Sequence, residues 1–265
     1  MRFCSIASGS SGNCIYIGSD ATHLLVDAGI SGKKVETGLR ELELTGADID
    51  GILITHEHSD HIAGLGVLCR RYGIPVYATK GTIQAIKQGC TKNTIEDSLF
   101  HVIEADKKMI IKDVTVSPMR VSHDAAEPVA YRIGYEGKKV AICTDLGFYN
   151  DYTVECLKGM DALLIEANHD VNMLQVGPYP YYLKQRILGN RGHLSNENSG
   201  RLINSILHDR LKAIVLGHLS KENNLPELAY EAVRMEIALS DNAYKAGDFP
   251  ITVAYRSDVS PVIQI

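Results

Sequence analysis

Thr55-His56-Glu57-His58-Ser59-Asp60-His61 is the stretch that decides how this chain is read. It follows the apolar run Gly51–Thr55 and precedes a run with helical periodicity from Ile62 to Tyr72. In extended backbone, residues two apart project to the same side. His56 and His58 can therefore converge on one ion. Asp60 and His61 arrive as the chain turns into a helix, so they can face a second ion beside the first. Imidazoles mixed with a carboxylate are the donors that borderline transition metals prefer. A single histidine in a polar loop is usually surface filler, but three in this spacing at a strand end are not.

Working outward, other strand-like runs end on residues of matching chemistry. Leu24–Asp27 closes on Asp27, Val114–Val121 leads to His123, Lys139–Thr144 leads to Asp145, and Ala213–Gly217 leads to His218. Residues at strand ends collect along one edge of an α/β sheet, where sites form. An isolated His or Asp there is commonly a turn or cap residue. Here each gains weight because the His-rich segment needs partners of that type. Further strands are expected over Phe3–Ala7, Cys14–Gly18, His23–Asp27, Ala130–Tyr135, Ala162–Glu166 and Ile251–Tyr255. These runs are short, β-branched and bounded by turn residues. Helices are expected over Lys33–Leu44, Ile62–Tyr72, Thr82–Gln88, Asn196–His208 and Pro226–Leu239. No internal repeat, low-complexity tract or long linker interrupts the pattern. One α/β domain over residues 1–265 is the economical expectation.

Composition narrows the class. The chain has 265 residues, 45% of them hydrophobic, and a net charge of −5. That is ordinary for a globular protein with a full core. It argues against strong nonspecific binding of polyanions, though not against a local site where bound cations supply the positive charge. No signal peptide and no membrane-spanning run are read, so the cytoplasm is the expected compartment. The six cysteines form no CxxC pair and mostly lie in apolar runs, so buried, reduced thiols are expected.

Asp27, then His56-x-His58-x-Asp60-His61, then His123, Asp145 and His218 in this order and spacing resemble the metallo-β-lactamase superfamily over essentially the whole chain. The resemblance implies a four-layer αββα sandwich. It implies His56, His58 and His123 on one metal ion, Asp60, His61 and His218 on a second, and Asp145 bridging both. Asp27 becomes the carboxylate that orients a ligating histidine. A water activated by the metal pair then serves as nucleophile, and Cys143 is read as core.

Fold alone does not choose the substrate. Three local features favour a phosphate ester. Ser8-Gly9-Ser10-Ser11-Gly12-Asn13 lies between two strands and could present backbone N–H groups to an anion, though it is equally an ordinary turn. Gly192-His193-Leu194-Ser195-Asn196 opens a helix, with Ser195 as a suitable N-cap, and helix N-termini attract phosphate. Tyr179, Tyr181 and Tyr182 alternate with Lys184, Arg186 and Arg191, a mixture that suits bases and phosphates or simply an amphipathic connector. Ser10, Ser11, Asn13 and Ser195 are thus candidate phosphate-binding residues, and Asp60, Asp145 and His193 candidate catalytic ones.

The segments SIASGSSGNCIYI, HEHSDH, EANHD and LGNRGHLSN are similar to those of the YycJ/WalJ subgroup, described as exonucleases acting on double-stranded DNA from the 5′ end. This implies two divalent ions (zinc, manganese or iron), a DNA substrate taken from an end, no membrane and no evident protein partner. A glyoxalase II type thioester hydrolase and a ribonuclease Z-like RNA processor are the competing readings. The first normally carries a C-terminal helical substrate domain and the second an exosite arm; neither is visible here.

Overall fold

The computed structural model describes residues 1–89 and 95–265, so the expectation for Cys90 falls outside the described residues. Two compact units emerge, interleaved along the chain. Unit 1 holds residues 1–120, 125–137 and 255–264, and unit 2 holds residues 121–124, 138–254 and 265.

Unit 1 contains β1 (Arg2–Ala7), β2 (Cys14–Gly18), β3 (His23–Val26), α1 (Gly32–Glu41), β4 (Gly51–Leu53), α2 (Ser59–Ile62), α3 (Leu65–Tyr72), β5 (Val76–Thr79), α4 (Lys80–Gly89) and β6 (Phe100–Ile103). The strands β7 (Met109–Ile111), β8 (Val114–Arg120), β9 (Val129–Tyr135) and the terminal β14 (Ile263–Gln264) complete it. One sheet runs in the order β14-β1-β2-β3-β4-β5-β6. Its first members pair antiparallel, whereas β3 to β6 pair parallel. Parallel neighbours need crossover connections, and α1, α3 and α4 lie in them. β7, β8 and β9 pair antiparallel.

Unit 2 contains β10 (Lys138–Cys143), α5 (Asp151–Leu157), β11 (Ala162–Glu166), α6 (Val171–Val176), α7 (Tyr181–Leu188), α8 (Asn196–Asn204), β12 (Ala213–Gly217), α9 (Pro226–Ala238) and β13 (Ile251–Val253). β10 to β13 are parallel, in the order β13-β12-β11-β10. Every residue of β11 and β12 is buried, as expected of parallel strands covered on both faces. Side chains just beyond their carboxyl ends are therefore placed at a rim, where open α/β sheets bind ligands.

Sequence and structure differ at specific places. The helix expected over Ile62–Tyr72 is two helices, separated at Gly64. There the Gly64 N–H reaches the Ala28 carbonyl at 2.8 Å, and a Cβ would come within 2.2 Å of the Ile30 carbonyl. The tertiary approach of the 28–30 loop thus breaks a run whose periodicity looked continuous. The helix expected to reach His208 ends at Asn204, where Ser205 Oγ donates to the Leu202 carbonyl at 2.7 Å. Residues 181–188, which read as a connector, form α7. The four described cysteines of the apolar runs, Cys4, Cys14, Cys69 and Cys143, are buried, and Cys156 is half-buried.

Candidate metal centre

Unit 1 builds its donors around Asp27. This residue follows β3 and adopts φ 63°, the left-handed region that L residues rarely occupy. Its Oδ1 accepts the Thr55 N–H at 2.8 Å, and its Oδ2 lies 2.7 Å from His61 Nδ1. Burial pushes the Asp27 carboxyl upward, while His61 and the two Thr55 hydrogen bonds act against that rise. Because Nδ1 of His61 is held by Asp27, its Nε2 is the atom presented, 3.4 Å from Asp60 Oδ2. His56 packs its ring 4.1 Å from that of His61 and 4.5 Å from that of His58, centroid to centroid. Its Nδ1 meets Thr55 Oγ1 at 3.0 Å. Imidazoles packed this closely would repel if protonated, and a bound cation reconciles them with the neighbouring carboxylate. The donor set of unit 1 thus fits a divalent metal. Glu57 is directed elsewhere, accepting the Ala126 N–H at 2.8 Å.

The backbone clamps this turn. Asn13 N–H donates to Asp60 O and Ala28 N–H to His61 O, both at 2.8 Å. A Cβ on Gly29 would fall 1.6 Å from Asp60 O, so only glycine permits the approach. The Asn13 side chain closes its own turn with Gly9 and also places Nδ2 3.2 Å from His61 Nε2. Ser10 and Ser11 are exposed at the tip of the same turn.

Unit 2 gathers its donors from separate strand ends. Asp145 follows β10 with φ 58°, and His218 follows β12 with φ 53°. Backbone in this region costs about 1–3 kcal/mol per residue and persists only where the surroundings hold it. The holding group is Glu166, the last residue of β11 and fully buried. Its carboxylate accepts the Asp145 N–H at 2.5 Å and the Leu194 N–H at 2.7 Å. It also lies 3.3 Å from His193 Nδ1 and 3.2 Å from His218 Nδ1. Burial works to raise its pKa, but the His193 charge and the hydrogen bonds from both imidazoles win and hold it below the ordinary carboxylate range. Asp145, Glu166, His193 and His218 each place a donor atom within 4.8 Å of the others. Composition and compactness again suit a divalent cation.

His123 lies 3.7 Å from Asp145 Oδ1 through Nε2, while its Nδ1 meets the Gly192 carbonyl at 3.0 Å. Burial lowers its pKa despite the charge of Asp145. Ser195 is the N-cap of α8, its Oγ accepting the Asn198 N–H at 3.2 Å. Glu166 is the residue that the sequence reading did not place. The only signal was an apolar run, Ala162–Ile165, ending on a carboxylate inside the EANHD segment.

Comparison with known proteins gives these donor sets a context. A family model described as a beta-lactamase superfamily domain matches residues 22–218. The chain is 44% identical over 264 residues to Exodeoxyribonuclease WalJ of Streptococcus pneumoniae serotype 2 (strain D39 / NCTC 7466), covering 100% of this chain and 98% of the relative. It is 42% identical over 248 residues to Exodeoxyribonuclease YycJ of Bacillus anthracis, covering 94% and 92%. Among solved structures, the metallo-beta-lactamase fold protein YhfI from Bacillus subtilis superposes with a TM-score of 0.70 at 17% identity, covering 98% of this chain and 99% of that one. That likeness shows the fold: the α/β sandwich expected from the sequence.

Proposed function

The chain belongs to the metallo-β-lactamase superfamily, in its WalJ/YycJ-like subgroup, and on that premise we propose that it is a dinuclear metal-dependent phosphodiesterase that degrades double-stranded DNA from a 5′ end. The observation that carries the choice of nuclease within the superfamily is the full-length similarity to WalJ, since the donor chemistry alone suits thioesters equally. The reading treats residues 1–265 as one hydrolase domain. Its free, mostly buried thiols and its nucleic-acid substrate suit the cytoplasm.

By position in the family pattern, His56, His58 and His123 would hold one ion, Asp60, His61 and His218 the other, and Asp145 both. Zinc, manganese and iron all suit such mixed donors. Bound ions supply Lewis acidity and lower the pKa of a coordinated water. The protein's own residues do the rest. Asp27 fixes the tautomer and direction of His61, and the Gly192 carbonyl does so for His123. Glu166 orients His193 and His218 by their Nδ1 atoms. Of His123, His193 and His218, His193 is the least buried, with 14% of its side chain exposed, against 1% for His123 and 2% for His218. Backed by a buried carboxylate, it is suited to donate a proton to the leaving oxygen. Ser10, Ser11, Asn13 and Ser195 are assigned to the neighbourhood of the phosphate. A chain of net charge −5 attracts duplex weakly at a distance. Affinity then concentrates at a strand end and falls as salt rises.

A linear duplex labelled at one 5′ end, set beside a closed circle, a single strand and a model thioester, tests the reaction. Early release of labelled mononucleotide from the linear duplex is the expected result. Thioester cleavage with untouched DNA under manganese, zinc and iron would replace the reading with a glyoxalase II type activity. Asp145→Asn should lose more activity than Asp27→Asn, because Asp145 would serve both ions. His193→Ala should lose phosphodiester turnover while keeping its metal content.

A further inference from the structure

Residues 179–191 carry Lys184, Arg186 and Arg191 and no acidic residue, in a chain whose net charge is −5. Within this segment, α7 exposes two aromatic rings. Tyr181 is 77% and Tyr182 75% accessible, although burying rings of this size is ordinarily favourable. Tyr182 and Arg186 are four residues apart on the helix and so share a face. Arg186 donates through Nη2 to Asp124 Oδ1 at 3.0 Å, and that oxygen lies 3.4 Å from His123 Nε2. The opposite side of the helix is fixed by buried Ile187, whose carbonyl accepts the His193 N–H at 3.0 Å. The last turn of α7 is thus pinned beside His123 and its end beside His193, while the first turn lifts two tyrosines into solvent.

We propose that Tyr181 and Tyr182 form a stacking platform for unpaired nucleobases at the end of the nucleic-acid substrate, with Lys184 and Arg191 of the same segment meeting the backbone phosphates. The inference rests on the nuclease reading and deepens it. A base stacks on an aromatic side chain by its face, which every base offers, so the contact tolerates any sequence. Bases inside a duplex have both faces occupied by neighbours. The platform therefore favours ends that carry, or readily fray to, unpaired nucleotides. Lys184 and Arg191, in a segment without an acidic residue of its own, complement a phosphodiester strand better than a protein surface.

The test uses the metal-loaded full chain with two linear duplexes, one blunt and one with a short single-stranded 5′ extension. Phosphorothioate versions give binding by fluorescence anisotropy. Tyr181→Ala/Tyr182→Ala should weaken binding of the extended duplex about tenfold and raise its KM with kcat retained. Tyr181→Phe/Tyr182→Phe should restore both, since the rings remain. Turnover of bis(p-nitrophenyl) phosphate, which offers no base, should be the same in all three proteins. Unchanged binding in the alanine variant overturns the platform, and so does failure of the phenylalanine variant to recover. A wild-type dimer that the alanine variant dissociates, with DNA binding intact, would make this face a contact between copies instead. If wild-type protein degrades no nucleic acid at all, the nuclease reading itself fails; if it degrades DNA and ignores the alanine change, only the platform does.

Discussion

The two units assemble similar donor chemistry by opposite means. In unit 1, His56, His58, Asp60 and His61 come from one strand end and the turn that follows it. In unit 2, Asp145, His193 and His218 come from three distant places in the chain and meet around a single buried carboxylate, Glu166, while His123 approaches Asp145 at 3.7 Å. The first arrangement is specified locally and needs mainly a clamp. The second exists only when β10, β11 and β12 have aligned and the residues after Ile187 have folded back over them.

This difference predicts where the molecule is most vulnerable. Glu166→Ala removes the acceptor for three backbone N–H groups, those of Asp145, Leu146 and Leu194, and for two imidazoles at once. Breaking a buried charged network by deleting one partner costs about 3–5 kcal/mol. Asp27→Asn keeps an oxygen for Thr55 and should cost less. Urea unfolding of the two variants measures the contrast. A larger loss for Asp27→Asn would reverse the comparison.

The same difference explains what the sequence disclosed. The His-rich segment is legible because strand and turn geometry fix its side chains within a few residues. Asp27, His123, Asp145 and His218 could be picked out as polar residues ending apolar runs. Glu166 looks the same in sequence, yet its work is done entirely by contacts far along the chain. The break at Gly64 was hidden for a similar reason, since it is imposed by the Ala28 carbonyl and not by local propensity. Helix α7 escaped because exposed tyrosines on a short segment give no apolar face to read.

Polar burial in unit 2 extends beyond its donors, and that sets a pH dependence. His169 is 1% exposed, and neither ring nitrogen has a hydrogen-bond partner among the described residues. Burial lowers its pKa to about 4, with Glu166 opposing the fall, His193 adding to it and Asp170 opposing it again. The unfolded chain therefore binds the proton first. The contribution is full above the ordinary histidine value near 6.5 and is lost as pH falls to about 4. At about 1.4 kcal/mol per pH unit, the loss reaches about 3 kcal/mol. His169→Leu should flatten stability over that window in urea titrations of metal-free protein. Parallel curves for variant and wild type would show that the acid sensitivity arises elsewhere.

Unit 1 should be sensitive instead to its clamp. In Gly29→Ala the new methyl would meet the Asp60 carbonyl 1.6 Å away, so the turn bearing Asp60 and His61 must move. Overpacking of this kind costs about 2 kcal/mol. Metal content should fall with it, because two donors are displaced together. Full occupancy at unchanged stability would show that the clamp is looser than its geometry.

The smallest expected effect separates a structural from a binding role at Ser195. Its Oγ accepts the Asn198 N–H, satisfying one of the donors that every helix leaves open at its start. Ser195→Ala should therefore destabilise the protein by about 1 kcal/mol through the lost cap. Ser195→Asp should recover that cap, since a carboxylate accepts the same N–H and favours the helix N-terminus. The two substitutions part company over substrate. If Ser195 only caps α8, both variants keep the wild-type KM for a phosphodiester once the protein is folded. If it also meets phosphate, the aspartate restores stability but raises KM, because a second negative charge now stands where the substrate's must sit. Thermal unfolding and KM measured on the same preparations decide between them.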